Sequence, residues 1–299
     1  SLCDHATILR GGKKVATCTP ADTTARELAE MMVGASFAAP KGTGSAPGAG
    51  ILEITELSLP AADAFGTTLH NVSFTVRAGE VLGIGGVAGN GQDELLMALS
   101  GERRSGAGCV RLHGSDLGHR GPQARRAAGL LAGPEERLGH AAAPDMSLIE
   151  NAALTGAYRK WLVRNGFLSW RRARSFAEDI IQTFDVRTPG PGVAARSLSG
   201  GNLPKFVVGR EIMMDPEGLV VNQPTWGVDA AAAAAIRQAL LDLASKGAAI
   251  VVISQDLDEL IEISDSFAAL TAGRLSATRP MRGLDLDQIG LMLGGAHDL

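Results

Sequence analysis

"EVLGIGGVAGNGQD", Glu80 to Asp93, joins a short and nearly continuous apolar run to the start of a helix-like one. Between the two, Gly86, Gly89 and Gly91 stand at the spacing of a G-x-x-x-x-G-K-[ST] loop. Such a loop, here also containing Asn90, lets backbone N–H groups wrap a phosphate chain at a helix N-terminus. The cradle is present, but the chemistry around it is altered. Gln92 stands in place of the lysine that meets the terminal phosphates, and Asp93 replaces the hydroxyl that holds magnesium. Removing a cation about 4 Å from a phosphate forfeits about 4 kcal/mol of gross Coulomb energy at an intermediate dielectric. An added carboxylate contributes repulsion of similar size. Taken alone, the glycines are equally compatible with a plain strand-turn-helix junction.

Outward from this loop, strand-like runs at Ile51 to Leu57, His70 to Val76, Val81 to Gly85, Gly218 to Val221 and Ala249 to Ile253 alternate with helix-like runs. The helix-like runs are Gln92 to Leu99, Phe176 to Phe184, Ala230 to Ser245 and Leu257 to Ile263. Short apolar strands followed by helices predict an α/β fold with a mainly parallel core sheet. The early strands, ahead of any long helix, predict an added antiparallel β part. Ser147 to Thr188 lacks buried-strand signals and reads as a helical insertion, with the whole helical subdomain at about 145–205.

Composition narrows the function. The 299 residues are 45% apolar and 20% charged, which suits a packed globular protein. A formal charge of −4 and no basic tract argue against a nucleic-acid partner. Cys3, Cys18 and Cys109 match no metal or disulfide spacing and read as small apolar filler in a reducing compartment, and the six histidines form no ligand pair. No apolar stretch reaches the roughly 18 residues that span a bilayer, and Ser1 to Arg10 lacks the order of a signal peptide, so the expected location is cytoplasmic.

Residues 35–50, "ASFAAPKGTGSAPGAG", have the composition of a flexible linker. Before it, Asp4, Leu9, Gly12, Ala16, Thr17, Met31 and Gly34 match Asp265, Leu270, Gly273, Ala277, Thr278, Met292 and Gly295 in one unbroken register. Residues 1–34 therefore read as the tail of a preceding copy of the domain at 51–299, so that the chain begins inside a tandem repeat.

Downstream lie "LSGGNLPK" (Leu198 to Lys205), "LVVNQPTWGVD" (Leu219 to Asp229) and "VVISQDLDEL" (Val251 to Leu260). With the glycine loop, these resemble the nucleotide-binding cassette of ABC transporters, and more narrowly the second cassette of tandem ATPases serving simple-sugar and nucleoside importers. The resemblance implies a P-loop ABC ATPase fold, ATP with magnesium as cofactor, and two kinds of partner: a preceding cassette or second ATPase subunit, and transmembrane permease subunits. It also implies a place on the inner face of the cell membrane.

Carried over residue by residue, the resemblance implies a crippled site. Asn222 and Gln223 stand where the family ends a strand in Asp and Glu. Asn222 is no anionic partner for hydrated magnesium, and Gln223 cannot take a proton from the attacking water. Gln255 stands at the switch-histidine position, and Glu135 in "AGPEERLGH" at that of the glutamine sensing the γ-phosphate. Ser199, Gly200 and Gly201 keep the signature, and Asp229 keeps the aspartate used across the cassette dimer. The implied role is a cassette with no intact catalytic residue whose signature completes its neighbour's ATP site. A second reading is a regulatory or structural nucleotide-binding module, and a third leaves LSGG as only a helix cap.

Other features carry two readings each. Leu203 and Pro204 replace glutamines, and a proline beyond the first helical turn costs about 3 kcal/mol; the helix is therefore expected to start late or the signature to be displaced. Trp226 reads as a partner contact or edge packing, Phe65 as a candidate adenine stack. The run Arg159 to Ser175 reads as a solvated helix face or a membrane-subunit contact.

Overall fold

The computed structural model describes residues 3–10, 13–23, 27, 31, 48–157, 159, 160 and 162–295. In chain order the strands are β1 (Ala6–Arg10), β2 (Lys13–Cys18), β3 (Gly50–Leu59), β4 (Leu69–Arg77), β5 (Val81–Gly85), β6 (Val110–Leu112), β7 (Ser115–Asp116), β8 (Leu130–Gly133), β9 (Val163–Arg164), β10 (Phe167–Leu168), β11 (Gly218–Asn222), β12 (Ala249–Ser254), β13 (Ser266–Thr271), β14 (Arg274–Leu275) and β15 (Arg279–Pro280). The helices are α1 (Gln92–Ser100), α2 (Pro122–Ala128), α3 (Leu148–Gly156), α4 (Trp170–Thr183), α5 (Asn202–Ile212), α6 (Ala230–Ser245), α7 (Leu257–Ile263) and α8 (Leu286–Leu293).

Five strands run parallel in the order β13-β5-β12-β11-β8, and β14 and β15 add antiparallel to β13. Both faces of this sheet are covered, which is why its strands are apolar at consecutive positions. Leu219 and Val221 enter one hydrophobic cluster while Val220, between them, enters the other. Ile250 and Val252 divide from Val251 and Ile253 in the same way along β12. The second cluster also holds Leu95, Leu96 and Leu99 of α1 and the inward residues of a separate antiparallel sheet, β4-β3-β6-β7. This is the α/β fold with an antiparallel part that the strand pattern predicts.

The helical part packs α4 against α3 and α5 around Phe176, Ile180 and Phe206. Gly209 is required at this contact, because a Cβ there would meet the Phe184 ring at 2.5 Å. Two expectations are revised here. The insertion contains a short hairpin, β9 with β10, and α4 begins at Trp170, well ahead of Phe176. Its first turn carries "WRRAR", whose exposed cations hide the apolar spacing, and Ser169 caps it through the Arg172 N–H.

All three cysteines are free thiols. Cys109 packs against the second cluster, but Cys3 is exposed and so is no filler. The expected linker lies, for residues 35–47, outside the described residues, as do Gly12 and Gly34 of the repeat. No helix among the described residues is long and apolar enough to cross a membrane.

Candidate functional site

The loop from Gly86 to Gly91 lies at the carboxyl end of β5, in the middle of the parallel sheet, where open α/β sheets place ligands. Gly89 (φ +82°) and Gly91 (φ +109°) take left-handed conformations that side chains resist. A Cβ on Gly86 would strike the Leu270 carbonyl oxygen at 2.6 Å. The backbone therefore has the turn that the glycine spacing predicts.

Its interior is occupied from within. Gln92 is buried, and its side chain folds back across the loop: Nε2 donates to the Val87 carbonyl (2.8 Å), and Oε1 accepts from the Asn90 N–H (3.0 Å). One of the amides that a phosphate would need is thus already satisfied. Asn90 is committed as well, donating through Nδ2 to Val87 O (2.8 Å) and accepting through Oδ1 from Ala272 N–H (2.7 Å). The turn at Ala272 and Gly273 braces the loop further, since Gly273 N–H donates to Asn90 O (2.9 Å). Thr67, which donates through Oγ1 to Gly89 O (2.8 Å) and whose N–H meets Glu94 Oε1 (2.7 Å), holds it from the other side.

Asp93 and Asn222, far apart in sequence, meet: Asn222 Nδ2 donates to Asp93 Oδ1 at 3.0 Å. Partial enclosure of the Asp93 carboxyl, then the charge of Glu94, raises it above its ordinary range, and the Asn222 hydrogen bond lowers it only in part. Beside Asp93 opens a cleft of about 510 Å³ whose walls include Glu135, Glu136, Arg137, His140 and Trp226. Glu135 is raised by burial and then by Asp93. Three carboxylates, Asp93, Glu135 and Glu136, thus line the cleft together with Arg137 and His140, and Glu94 adds its charge to Asp93 from outside the lining.

Gln223 is buried with φ +52°, and its Oε1 lies 3.4 Å from Ser254 Oγ. Its carbonyl accepts from Arg137 (3.1 Å), and burial holds that guanidinium below its ordinary range. Gln255 is exposed. Glu259, which the sequence did not single out, is a buried carboxyl raised by burial and held by the hydroxyls of Thr225 (2.7 Å) and Ser254 (2.8 Å). Its signal is the acidic residue three positions after Asp256, which caps α7.

Ser199, Gly200 and Gly201 lead into α5. Ser199 O accepts from Asn202 N–H (3.0 Å) and Leu203 N–H (3.1 Å), while the Gly200 and Gly201 amides meet no acceptor among the described residues and no atom stands where their Cβ atoms would be. Of the two alternatives for Pro204, the structure fits a helix that starts late enough to avoid the cost. The helix begins at Asn202, so Pro204 falls in its first turn, where an N–H has no intrahelical acceptor to lose. Asp229 is the N-cap of α6, accepting from Ala232 N–H (2.9 Å), and is exposed. Trp226 lines the cleft and is 64% exposed; Phe65 is 98% exposed on the segment before Thr67. The structure thus brings together Gly86, Gly89, Asn90, Gly91, Gln92, Asp93 and Asn222. Ser199, Gly200 and Gly201 stand on a separate segment, ahead of α5.

A family model described as ABC transporter matches residues 69–226. The chain is 38% identical over 303 residues to a glucose import ATP-binding protein of Haloferax volcanii, covering all of this chain and 54% of that protein. It is 35% identical over 299 residues to a nucleoside import ATP-binding protein of Lactococcus lactis, covering 99% of this chain and 59% of that one. The chain spans little more than half the length of these curated relatives. Among solved structures, a nucleotide-free ATP-binding cassette from an ABC transporter superposes with a TM-score of 0.63 at 20% identity, over 82% of this chain and 96% of that one. A dimeric cassette bound to ADP and phosphate gives 0.64 at 18% identity, over 78% and 100%.

Proposed function

The chain belongs to the ABC transporter family, and from that premise we propose that it is the non-hydrolysing cassette of a pair that drives import of a simple sugar or nucleoside. In this reading its own loop holds no catalytic nucleotide. Ser199, Gly200 and Gly201 instead close over ATP and magnesium bound to the preceding cassette, with Asp229 at the same interface. The carrying observation is the contrast between the two segments. In the loop the Gln92 side chain takes the Asn90 N–H and lies across the turn, whereas at the signature the Gly200 and Gly201 amides meet no acceptor among the described residues and no side chain lies over them, at a helix N-terminus where an anion is favoured.

Pairing has support in the N-terminal hairpin. β1 pairs with β2 through Leu9–Lys14 and Arg10–Lys13 as β13 pairs with β14 through Leu270–Leu275 and Thr271–Arg274, in the register of the sequence match. Residues 1–34 accordingly belong to a preceding cassette, joined through 35–50 to the cassette at 51–299. The substrate class rests on the glucose- and nucleoside-import relatives. In the same reading permease subunits dock beside α3 and the protein lies on the inner face of the membrane; an apolar groove of about 290 Å³ there, where Met146, Leu154 and Trp170 are 40%, 59% and 55% exposed, supports it.

The test is Ser199→Arg in the complete cassette pair. The expected result is loss of ATP hydrolysis with ATP binding at the preceding cassette retained. Unchanged hydrolysis contradicts the shared-site role.

A further inference from the structure

Between α2 and α3 lies a second cavity, of about 350 Å³, lined by Gln123, Arg126, Ala127, Leu154, Thr155 and Arg159. It shares no lining residue with the cleft beside the loop. Its charged and polar side chains are two guanidinium groups, a hydroxyl and a carboxamide, and no carboxylate lines it. Among the described residues two of its donors find no hydrogen-bond partner: Arg126 Nε and Thr155 Oγ1, both buried. Buried donors are nearly always satisfied, and leaving one unpaired is costly.

The charges around the cavity do not balance. Arg126 and Arg210 share one carboxylate, that of Glu211, at 2.6 and 2.9 Å. Arg159 donates to the carbonyl oxygens of Met214 (3.1 Å) and Asp215 (2.7 Å), which carry no net charge. The nearby carboxylates are engaged elsewhere: Asp215 with Lys160 at 2.8 Å and Glu217 with His113 at 2.9 Å. Among the described residues Arg126, Arg159, Arg210 and Lys160 thus stand against Glu211, Asp215 and Glu217, one cation in excess, with Glu217 Oε1 and Arg159 Nη1 both beside Gly129.

We propose that this cavity binds a phosphate group, with Arg126 and Arg159 neutralising it and Thr155 and Gln123 donating to its oxygens. Guanidinium forks match the geometry of phosphate oxygens, and the volume suits a small ligand. The two walls belong to different parts of the fold, α2 to the sheet core and α3 to the helical part. From α2 the chain runs through Gly129 into β8 and on to Glu135 and Arg137 in the cleft. A bound phosphate group therefore ties the helical part to the segment that leads into the nucleotide cleft.

The test titrates this chain by calorimetry with inorganic phosphate, with a hexose phosphate, and with vesicles containing an anionic phospholipid, each against chloride at matched ionic strength. The expected result is saturable binding of at least one of these, weakened about tenfold or more in Arg159→Gln and in Thr155→Val. Thr155→Val is nearly isosteric and removes no ion pair, so it keeps the test decisive if Arg159→Gln fails to fold. Binding of vesicles alone, lost in the variants, assigns the phosphate group to a lipid; binding of the soluble ligands assigns it to a free metabolite. No saturable binding of any of the three, or binding equally strong in a folded variant, overturns the proposal.

Discussion

Asn222 Nδ2 donates to Asp93 Oδ1 at 3.0 Å, so the last residue of β11 and the second residue of α1, beside the glycine loop, hold each other. Between them and the loop, the Gln92 amide closes the remaining gap. These side chains fit one another as a set: an amide donor faces a carboxylate, and a second amide satisfies the Asn90 N–H within the loop. Reversing one of them leaves the others in conflict with polyphosphate.

Reversal of the set is therefore expected to restore binding where single changes do not. The combined variant Gln92→Lys, Asp93→Ser, Asn222→Asp and Gln223→Glu should bind magnesium-ATP about 100-fold or more tightly than the parent chain, a fraction of the gross Coulomb difference. Gln92→Lys alone should give much less, because Asp93 and Glu135 remain. Calorimetric titration of both variants reads the difference, and equal affinities would count against an electrostatic cause.

Stability should respond to pH through Asp93. Its carboxyl is raised in the folded chain, so the folded state holds the proton more tightly than the unfolded state does. Stability is then lost as pH rises from the ordinary carboxylate range, near 3.8, through the raised folded value. Asp93→Asn keeps an oxygen acceptor for Asn222 and removes the charge. The variant should melt at a higher temperature than the parent at neutral pH, with the gap closing as pH falls toward that range; a gap that stays constant with pH would refute the assignment.

Arg125 should be a stability determinant with no part in nucleotide chemistry. It is fully buried, and its guanidinium donates to the carbonyls of Leu99 (2.9 Å), Gly118 (3.0 Å) and Arg120 (2.9 Å) as well as Ala98. Burial lowers it to about 10, so it keeps its charge at neutral pH. It thereby ends α1 and ties it to the segment before α2. Arg125→Leu leaves these carbonyls unpaired and is expected to cost about 3 kcal/mol or more in denaturant unfolding. A change under about 0.5 kcal/mol would show that the carbonyls find other donors.

The sequence exposes the parts of this fold whose physics is local. β5, β11 and β12 are buried at every position, and apolar up to the terminal Asn222 and Ser254, because both faces of the sheet are covered, and Gly89 and Gly91 mark a turn that needs positive φ. Helices α3 and α8 are less visible: each is short, and each begins at a capping box whose partner residues, Glu150 and Gln288, read as ordinary surface polarity. The substitutions at Gln92, Asp93, Asn222 and Gln223 were legible one by one as losses. That Gln92 turns back into the loop, and that Asp93 pairs with Asn222, depends on contacts across the fold that no spacing encodes. For Pro204 the sequence leaves two alternatives open, since its cost depends on which residue starts α5, and helix starts are poorly fixed by sequence.

The most direct test of the account is steady-state ATP hydrolysis by this chain in the presence of magnesium, measured beside Gln223→Ala. The expected result is phosphate release at the background rate from both proteins. Turnover of about 1 s⁻¹ or faster from the parent chain, within the ordinary range of enzymes, would contradict the claim that a loop filled by Gln92 and fenced by Asp93 cannot split a phosphoanhydride.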